Sequence, residues 1–190
     1  MFVINRILIL IISIESIIIS SMIPLNITIP STSNFFRTLE FPVNIQIPII
    51  VFLTLIFSGD LLIKAFSIYI FIGLFILPVF NDGGSLGYIL TPNFGYLLGT
   101  FPLIKIVDIL NNKEEFTFLE YLKYTIIAIL VLHLTGILYT CFQLLLFNKT
   151  ELILFNFGKF TLNKILYQIL MIIFTFKILK ISKKLKFLIK

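Results

Sequence analysis

The sequence is poor in charged and metal-binding residues. Its 190 residues include one cysteine, one histidine and no tryptophan, and only 13% are charged. A single cysteine, Cys141, excludes an internal disulfide, and no metal-ligand spacing surrounds it. Soluble domains carry about 25% charged residues, so this chain cannot build a water-facing surface. The composition therefore predicts an integral membrane protein.

Sequence motifs for catalysis and nucleotide binding are also missing. The chain has no P-loop, no Gly-rich dinucleotide fingerprint, no zinc spacing and no nucleophile elbow. We expect neither an enzyme nor a cofactor, and a chain without a nucleotide site cannot drive ATP-fuelled transport alone. The single histidine, His133, is interpreted as a helix-packing hydrogen-bonding residue, with a ligand or proton contact as the alternative.

Long apolar runs account for most of the chain, with 59% hydrophobic residues and a mean hydropathy of +1.11. Because a spanning helix takes roughly 20 residues, the length suits one all-α domain over residues 1–190 with six transmembrane helices. A Gly-rich extracytoplasmic loop separates the third helix from the fourth. We place the six helices at about 2–24, 41–58, 61–80, 94–110, 119–147 and 157–181.

Lysines crowd the C-terminus, and the formal net charge is +6. Basic residues accumulate on the cytoplasmic side, so an even number of spans predicts both termini in the cytoplasm and a multi-pass protein of the plasma (inner) membrane. Contact with anionic membrane lipid is compatible with this basic tail, whereas a nucleic-acid partner is not expected. In the first helix, small residues share one face, which favours close approach of another helix: Ser13, Ser16 and Ser20.

The most polar interruption is the stretch from Leu77 to Phe101, which contains five glycines, two prolines, one Asp and two Asn. Polar, irregular backbone at membrane depth is tolerated where it lines a cavity inside the protein. The stretch is therefore the first place to look for a ligand site. Asp-Gly at 82–83 is also an ordinary turn signal, so a simple turn is the alternative.

The same stretch resembles the BioY family, the membrane-embedded substrate-binding S components of energy-coupling factor (ECF) transporters for biotin. The family pattern places a tyrosine and a glycine before Leu-Pro-Val-Phe, then a Gly-rich loop, then a Gly-Tyr-Leu-x-Gly motif. The matching residues are Tyr69, Gly73, Leu77, Pro78, Val79, Phe80, Gly83, Gly84, Gly87, Pro92, Gly95, Tyr96, Leu97 and Gly99. HLTGILY at 133–139 is similar to the family's fifth helix.

The resemblance implies a biotin receptor that associates with a transmembrane coupling subunit and two ATPase subunits. The serine face of the first helix is then a candidate docking face for the coupling subunit. A site for biotin needs apolar walls and a few placed polar groups, and one cation would suit the biotin carboxylate. The candidate ligand-binding residues are Asn81, Asp82, Gly84, Tyr88, Tyr96 and Lys164.

One position departs from the family pattern. In the sixth helix the family pattern resembles P-G-D-x-x-K, and its Asp and Lys are among the ligand contacts. Here Lys164 fits the lysine, but Thr161 occupies the acidic position. The alternatives are a diverged member that takes a different vitamin-like ligand, or a membrane protein of the same fold with an assembly or interaction role.

Overall fold

The chain folds, in a computed structural model, as apolar helices with one β-hairpin after the first of them. The structure describes residues 2–30, 36–81, 83–113 and 115–188, with side chains over 4–23, 44–81, 83–113 and 115–181. The elements in chain order are α1 (Phe2–Met22), β1 (Pro24–Pro30), β2 (Phe36–Asn44), α2 (Gln46–Ile56), α3 (Gly59–Phe75), α4 (Pro92–Asp108), α5 (Phe118–Leu146), α6 (Ile153–Phe157) and α7 (Asn163–Leu188). Short 3₁₀ turns cover Leu86–Leu90, Ile109–Asn112 and Thr150–Leu152, and a π-helical turn, Gly158–Leu162, joins α6 to α7.

The region after α1 differs from the sequence prediction of a polar loop at 26–41 and a span at 41–58. β1 and β2 pair as an antiparallel hairpin, with Leu25 opposite Phe41. The strand continues to Asn44, whose side chain accepts a hydrogen bond from the Gln46 N–H (3.4 Å), so the helix starts only there. α2 has 11 residues. At 1.5 Å per residue it is about 16 Å long, against about 30 Å of hydrocarbon core.

The last helical segment is longer than the span predicted at 157–181. The 3₁₀ turn, α6, the π turn and α7 follow one another without interruption from Thr150 to Leu188. Residues 148–156, predicted as a loop, are therefore mostly helical. The chain reverses after α5 at Asn148, whose φ of 53° lies in the left-handed region that asparagine tolerates.

The outer surface of the bundle is apolar, as expected of a membrane protein. Within the part of the chain that the structure describes, three helices are long and apolar enough to cross a membrane: Ile4–Met22, Pro92–Asn112 and Phe118–Leu146. α3 has 17 residues, just under the usual spanning length. Leu134, Leu138 and Phe142 are more than half exposed on one side of α5, where lipid rather than water is the favourable neighbour.

α4 and α5 form the most extensive helix–helix contact of the molecule. Gly99 lies so close to the backbone of Leu132 that an added Cβ would stand 2.5 Å from the Leu132 carbonyl oxygen. Likewise, Gly95 faces the Tyr139 side chain and Gly136 faces the Tyr96 ring. These three glycines, which we call the glycine seam, allow the two backbones to approach closely, as small residues do in membrane helix pairs.

The most charged loop, 111–118, ends in a capping box that sets the start of α5. Thr117 Oγ1 accepts from the Glu120 N–H (3.2 Å), and the Thr117 N–H donates to the Glu120 carboxylate (2.9 Å). The same carboxylate forms an ion pair with Lys113, and this hydrogen bond raises the pKa of Lys113 above its ordinary value. α5 therefore begins at a defined point, Phe118.

A second polar cluster joins the α2–α3 turn to the end of α4. Asp108 accepts from the Gly59 N–H (2.7 Å) and from Asn111 Nδ2 (2.9 Å), and Asn111 also donates to the Thr54 carbonyl oxygen (2.5 Å). Gly59 leaves no room for a side chain, since an added Cβ would overlap the Asp108 carboxylate. This cluster fixes the relative height of α2, α3 and α4, and thereby of the cavity between them.

We expect Gly59→Ala to lower the stability of the protein by about 1–3 kcal/mol, because the new methyl group must displace Asp108 from its hydrogen bonds. Thermal unfolding of the detergent-purified protein measures the loss. Gly158→Ala is the matched control, since nothing lies within 4 Å of a Cβ added there. Equal melting temperatures for the two variants would contradict the role given to the Gly59–Asp108 contact.

Candidate functional site

A polar-lined cavity lies among the helices and is closed partly by the Gly-rich loop. It holds about 640 Å³ of space not filled by protein atoms, the open mouth included. Its lining comes from β2, α2, α3, α4, α5, α7 and the loop: Asn44, Gln46, Ile47, Tyr69, Asn81, Tyr88, Asn93, Tyr96, Leu97, Thr100, Leu132, His133, Lys164 and Gln168.

Four of the six predicted ligand-binding residues line this cavity: Asn81, Tyr88, Tyr96 and Lys164. They come from the loop, α4 and α7, which are far apart in sequence. Asn81 is exposed, so it stands at the mouth, whereas Tyr88 is buried. The fold thus collects residues that were chosen from sequence alone into one site.

Tyr96 occupies the middle of the cavity wall. Its hydroxyl lies 2.9 Å from Thr161 Oγ1, and its ring meets His133 edge-on with centroids 5.6 Å apart. Gly136 makes the space for the ring, since a side chain there would overlap it. Thr161, which replaces the expected acidic residue, is therefore engaged with Tyr96 and holds its hydroxyl in place.

Lys164 supplies the positive charge among the described lining residues. It follows the π-helical turn directly, and its Nζ lies 5.2 Å from the centroid of the Phe160 ring. A π turn inserts one residue into a helix and shifts the faces that follow it, which is why such turns are common at functional sites. Here the turn ends two residues before Lys164, whose side chain lines the cavity.

Two aromatic residues, Tyr69 and Tyr88, line the cavity near the loop, and Phe80 packs against both of them. Tyr69 on α3 meets Phe80 edge-on at 5.3 Å, and Phe80 packs against Tyr88 at 4.5 Å. Phe80 fits because Gly73 has no side chain to oppose it. The Phe80 of the Leu-Pro-Val-Phe motif thus supports two lining rings, on which an apolar ligand ring can lie.

Two predicted ligand residues are not among the lining residues. Gly84 packs against the backbone of Gly73 and Pro78, where an added Cβ would stand 2.6 Å from each. Its role in the structure is close backbone approach within the loop. Asp82 lies outside the described residues, so its part in the site stays a prediction.

The serine face of α1 is used inside this chain. Ser13 and Ser20 are buried and donate to the carbonyl oxygens of Ile9 (2.7 Å) and Ile17 (3.0 Å), whereas Ser16 is half-buried. Ser21, beside this face, donates to the Val79 carbonyl oxygen at 2.8 Å. Docking of a coupling subunit on Ser13 and Ser20 would require α1 to move, and this role stays a prediction.

The cavity also contains polar residues that the sequence argument did not select as ligand contacts. His133 Nε2 lies 2.9 Å from Gln168 Oε1, across the gap between α5 and α7. Gln46 lines the same cavity from the start of α2. An amide or imidazole inside an apolar span was the available signal, since polar groups at membrane depth face protein or a cavity.

Hydrogen bonds from α5 hold the Gly-rich loop over the cavity. Tyr139 donates from its hydroxyl to the Ile89 carbonyl oxygen, and Gln143 donates to that of Leu90. Both acceptors belong to the 3₁₀ turn that follows the glycines. Gly83, with a φ of 109°, lets the chain turn into this position. The Gly-rich loop therefore lies over the cavity and is attached to α5 at its C-terminal end.

No group of three metal-ligating side chains comes together within the residues that the structure describes. The arrangement is one of hydrogen bonding and apolar packing around a cation. The chemistry of this lining suits a small organic molecule that carries hydrogen-bonding groups and a negative or strongly polar oxygen.

The fold and the cavity define a helical membrane protein with an internal site for a small molecule. Comparison with known proteins gives its family: the sequence profile described as "BioY family" matches residues 4–184. The chain therefore belongs to the BioY family, which confirms the resemblance found in the motif.

A curated relative agrees with this assignment. The chain is 36% identical over 74 residues to a probable biotin transporter BioY of Lysinibacillus sphaericus, a match that covers 38% of this chain and 37% of the relative. The match thus spans little more than a third of the relative's length. No solved structure matches the chain significantly.

We expect Tyr139→Phe to loosen the Gly-rich loop. The variant loses one hydrogen bond, worth about 1 kcal/mol, so hydrogen exchange of the amides at residues 85–91 should accelerate about fivefold. Exchange measured by mass spectrometry in detergent or nanodiscs checks this. Tyr121→Phe loses a comparable bond to the Ile172 carbonyl oxygen at the other end of α5 and should leave the loop unchanged. Similar acceleration in both variants would argue against a specific attachment.

Proposed function

We propose that this protein takes up biotin as the substrate-binding S component of an ECF-type transporter. The observation that supports this most strongly is the convergence of Asn81, Tyr88, Tyr96 and Lys164 on one cavity in a chain of the BioY family. The probable biotin transporter in Lysinibacillus sphaericus points to the same ligand. On this proposal the protein is a carrier and not an enzyme.

The chemistry of biotin suits the cavity. Its apolar ring and chain match the rings of Tyr69 and Tyr88, which line the cavity and pack against Phe80. Its ureido group donates and accepts hydrogen bonds, which Asn81 and the Tyr96 hydroxyl complement. Its carboxylate is an acceptor for the Lys164 ammonium, and this attraction is worth more in an apolar site than in water.

The transport role adds expectations about topology and partners. We infer six membrane crossings with both termini in the cytoplasm of a bacterial-type plasma membrane, so that the Gly-rich loop faces outward. The loop closes over captured vitamin, and a transmembrane coupling subunit with two ATPase subunits supplies the energy for release inside. Six crossings require that the short α2, with the hairpin before it, crosses where the layer is thinned.

Removing the charge of Lys164 should weaken biotin binding. We expect Lys164→Met to raise the Kd for labelled biotin about 10- to 100-fold, the loss of one charge-assisted hydrogen bond. Equilibrium binding to the detergent-purified protein measures it. Lys159→Met is the matched control, because Lys159 also stacks over Phe160 (5.0 Å) but is exposed and absent from the cavity lining.

Either of two results would contradict the biotin proposal. Folded wild-type protein without saturable binding at micromolar biotin would exclude biotin as the ligand. Equal effects of Lys164→Met and Lys159→Met would exclude the cavity as its site.

Energised uptake tests the transporter role separately from binding. Cells that lack their own biotin uptake should accumulate labelled biotin when they express this chain with a coupling subunit and two ATPases. We expect accumulation to fall to background when the ATPases carry an inactivating Walker substitution. Uptake that is unaffected by this substitution would show that the chain works without the ATPase module and would overturn the S-component role.

A further inference from the structure

Three buried polar atoms have no hydrogen-bond partner among the described residues: Gln46 Nε2, His133 Nδ1 and Gln143 Oε1. A buried polar atom without a partner costs about 1–3 kcal/mol, so each needs an explanation. Two of the three belong to residues that line the cavity, Gln46 and His133. Both side chains are more than nine-tenths buried, with exposures of 7% and 2%. Unsatisfied polar groups are therefore concentrated at the candidate site.

The chemistry of each atom decides what it can bind. Gln168 Oε1 only accepts, so the proton of the neutral His133 ring lies on Nε2, and Nδ1 carries a lone pair. Gln46 Nε2 is an amide nitrogen, which only donates, so this atom without a partner is a hydrogen-bond donor.

Packing prevents His133 from satisfying Nδ1 by rotating away. Its ring is held edge-on against Tyr96 (5.6 Å) on one side and hydrogen-bonded to Gln168 on the other. Leu132, beside it, is pressed against Gly99 in the glycine seam. An acceptor is thus presented in a fixed direction, as a specificity-determining group requires.

We propose that His133 Nδ1 and Gln46 Nε2 are specificity-determining contacts that read a urea or amide group of the ligand. His133 accepts from a ligand N–H, and Gln46 donates to the ligand carbonyl oxygen. This deepens the biotin-uptake proposal and rests on it, since the ureido group of biotin offers both functions. Gln168 acts through His133 as a positioning residue, because its amide oxygen selects the tautomer.

The pair also excludes wrong ligands. A molecule with the same apolar body and carboxylate but no N–H leaves Nδ1 unpaired, and one without a carbonyl oxygen leaves Gln46 unpaired. Sites built around buried hydrogen-bonding groups reject analogues that lack the partner group far more strongly than apolar pockets reject a missing methylene. Lys164 and the aromatic wall then contribute to the affinity for the ligand, and His133 and Gln46 determine which ligand is bound.

The test combines two ligand analogues with variants of both residues. The analogues are biotin methylated at the ureido nitrogens, which removes the N–H, and biotin with a thiocarbonyl in place of the ureido carbonyl, which weakens the acceptor. His133→Gln keeps an N–H at the position of Nε2 and loses the acceptor, whereas His133→Asn keeps an acceptor close to Nδ1. Gln46→Met keeps the size of the side chain and loses the donor.

We expect wild-type protein to prefer biotin over each analogue by about tenfold or more, the effect of one buried hydrogen bond. His133→Gln should reduce the preference over the methylated analogue alone, and His133→Asn should restore part of it. Gln46→Met should reduce the preference over the thiocarbonyl analogue alone. A merely structural role would lower all affinities together and leave these ratios unchanged.

The outcomes separate this inference from the function on which it rests. Biotin binding with ratios that the variants do not change would overturn the His133–Gln46 pair and leave the biotin proposal standing. Absence of biotin binding by folded wild-type protein would overturn both. If His133→Gln does not fold, the Gln46→Met ratios and the wild-type preference for biotin over each analogue still decide, and equal binding of biotin and both analogues sinks the proposal.

Discussion

The close contact between α4 and α5 is the constraint on which the site depends. Without side chains at Gly95, Gly99 and Gly136, the two helices approach until the backbone of Gly99 meets that of Leu132. This approach seats the Tyr96 ring in the space over Gly136 and sets His133 beside it. In a membrane such contact is favoured by packing rather than by the hydrophobic effect, since lipid tails are as apolar as leucine. The position of this cavity wall therefore depends on the absence of side chains from the glycine seam.

The side-chain hydrogen bonds inside the bundle are of two kinds, those within one helix and those between elements. Many hydroxyls inside the bundle donate to a carbonyl oxygen one turn back in their own helix, as Thr54 does to Ile50 and Thr140 to Gly136. Such residues need nothing from a neighbour, so they can be buried at little cost. Side-chain hydrogen bonds between elements fix the position of one element against another: Tyr139 holds the Gly-rich loop, and Asp108 holds the α2–α3 turn. The residues with a positional role are therefore those whose hydrogen bonds reach outside their own helix.

The motif was the most predictable part of the molecule. Gly-rich, polar sequence between apolar runs indicated a cavity, and Tyr88 and Tyr96 line one. The start of the second span was not predictable, because the periodicity of a short apolar run does not separate a strand from a helix, and residues 41–44 belong to strand β2 where the second helix was expected to begin. Gln46 was not selected from the sequence, and His133 was assigned first to helix packing, with a ligand contact as the alternative, for a different reason. Whether a lone polar residue is satisfied depends on its neighbours in space, which no local pattern states.

The loss of the expected carboxylate at Thr161 changes the electrostatics of the cavity more than its shape. Thr161 is buried and bonded to the Tyr96 hydroxyl, so the position still helps to hold an aromatic wall. An acidic residue there would stand one helical turn from Lys164 and neutralise it. With threonine, this position adds no negative charge beside Lys164, and on our proposal acceptance of a ligand N–H passes to neutral groups such as the His133 ring. This favours an anionic ligand with an uncharged donor, a description that biotin fits.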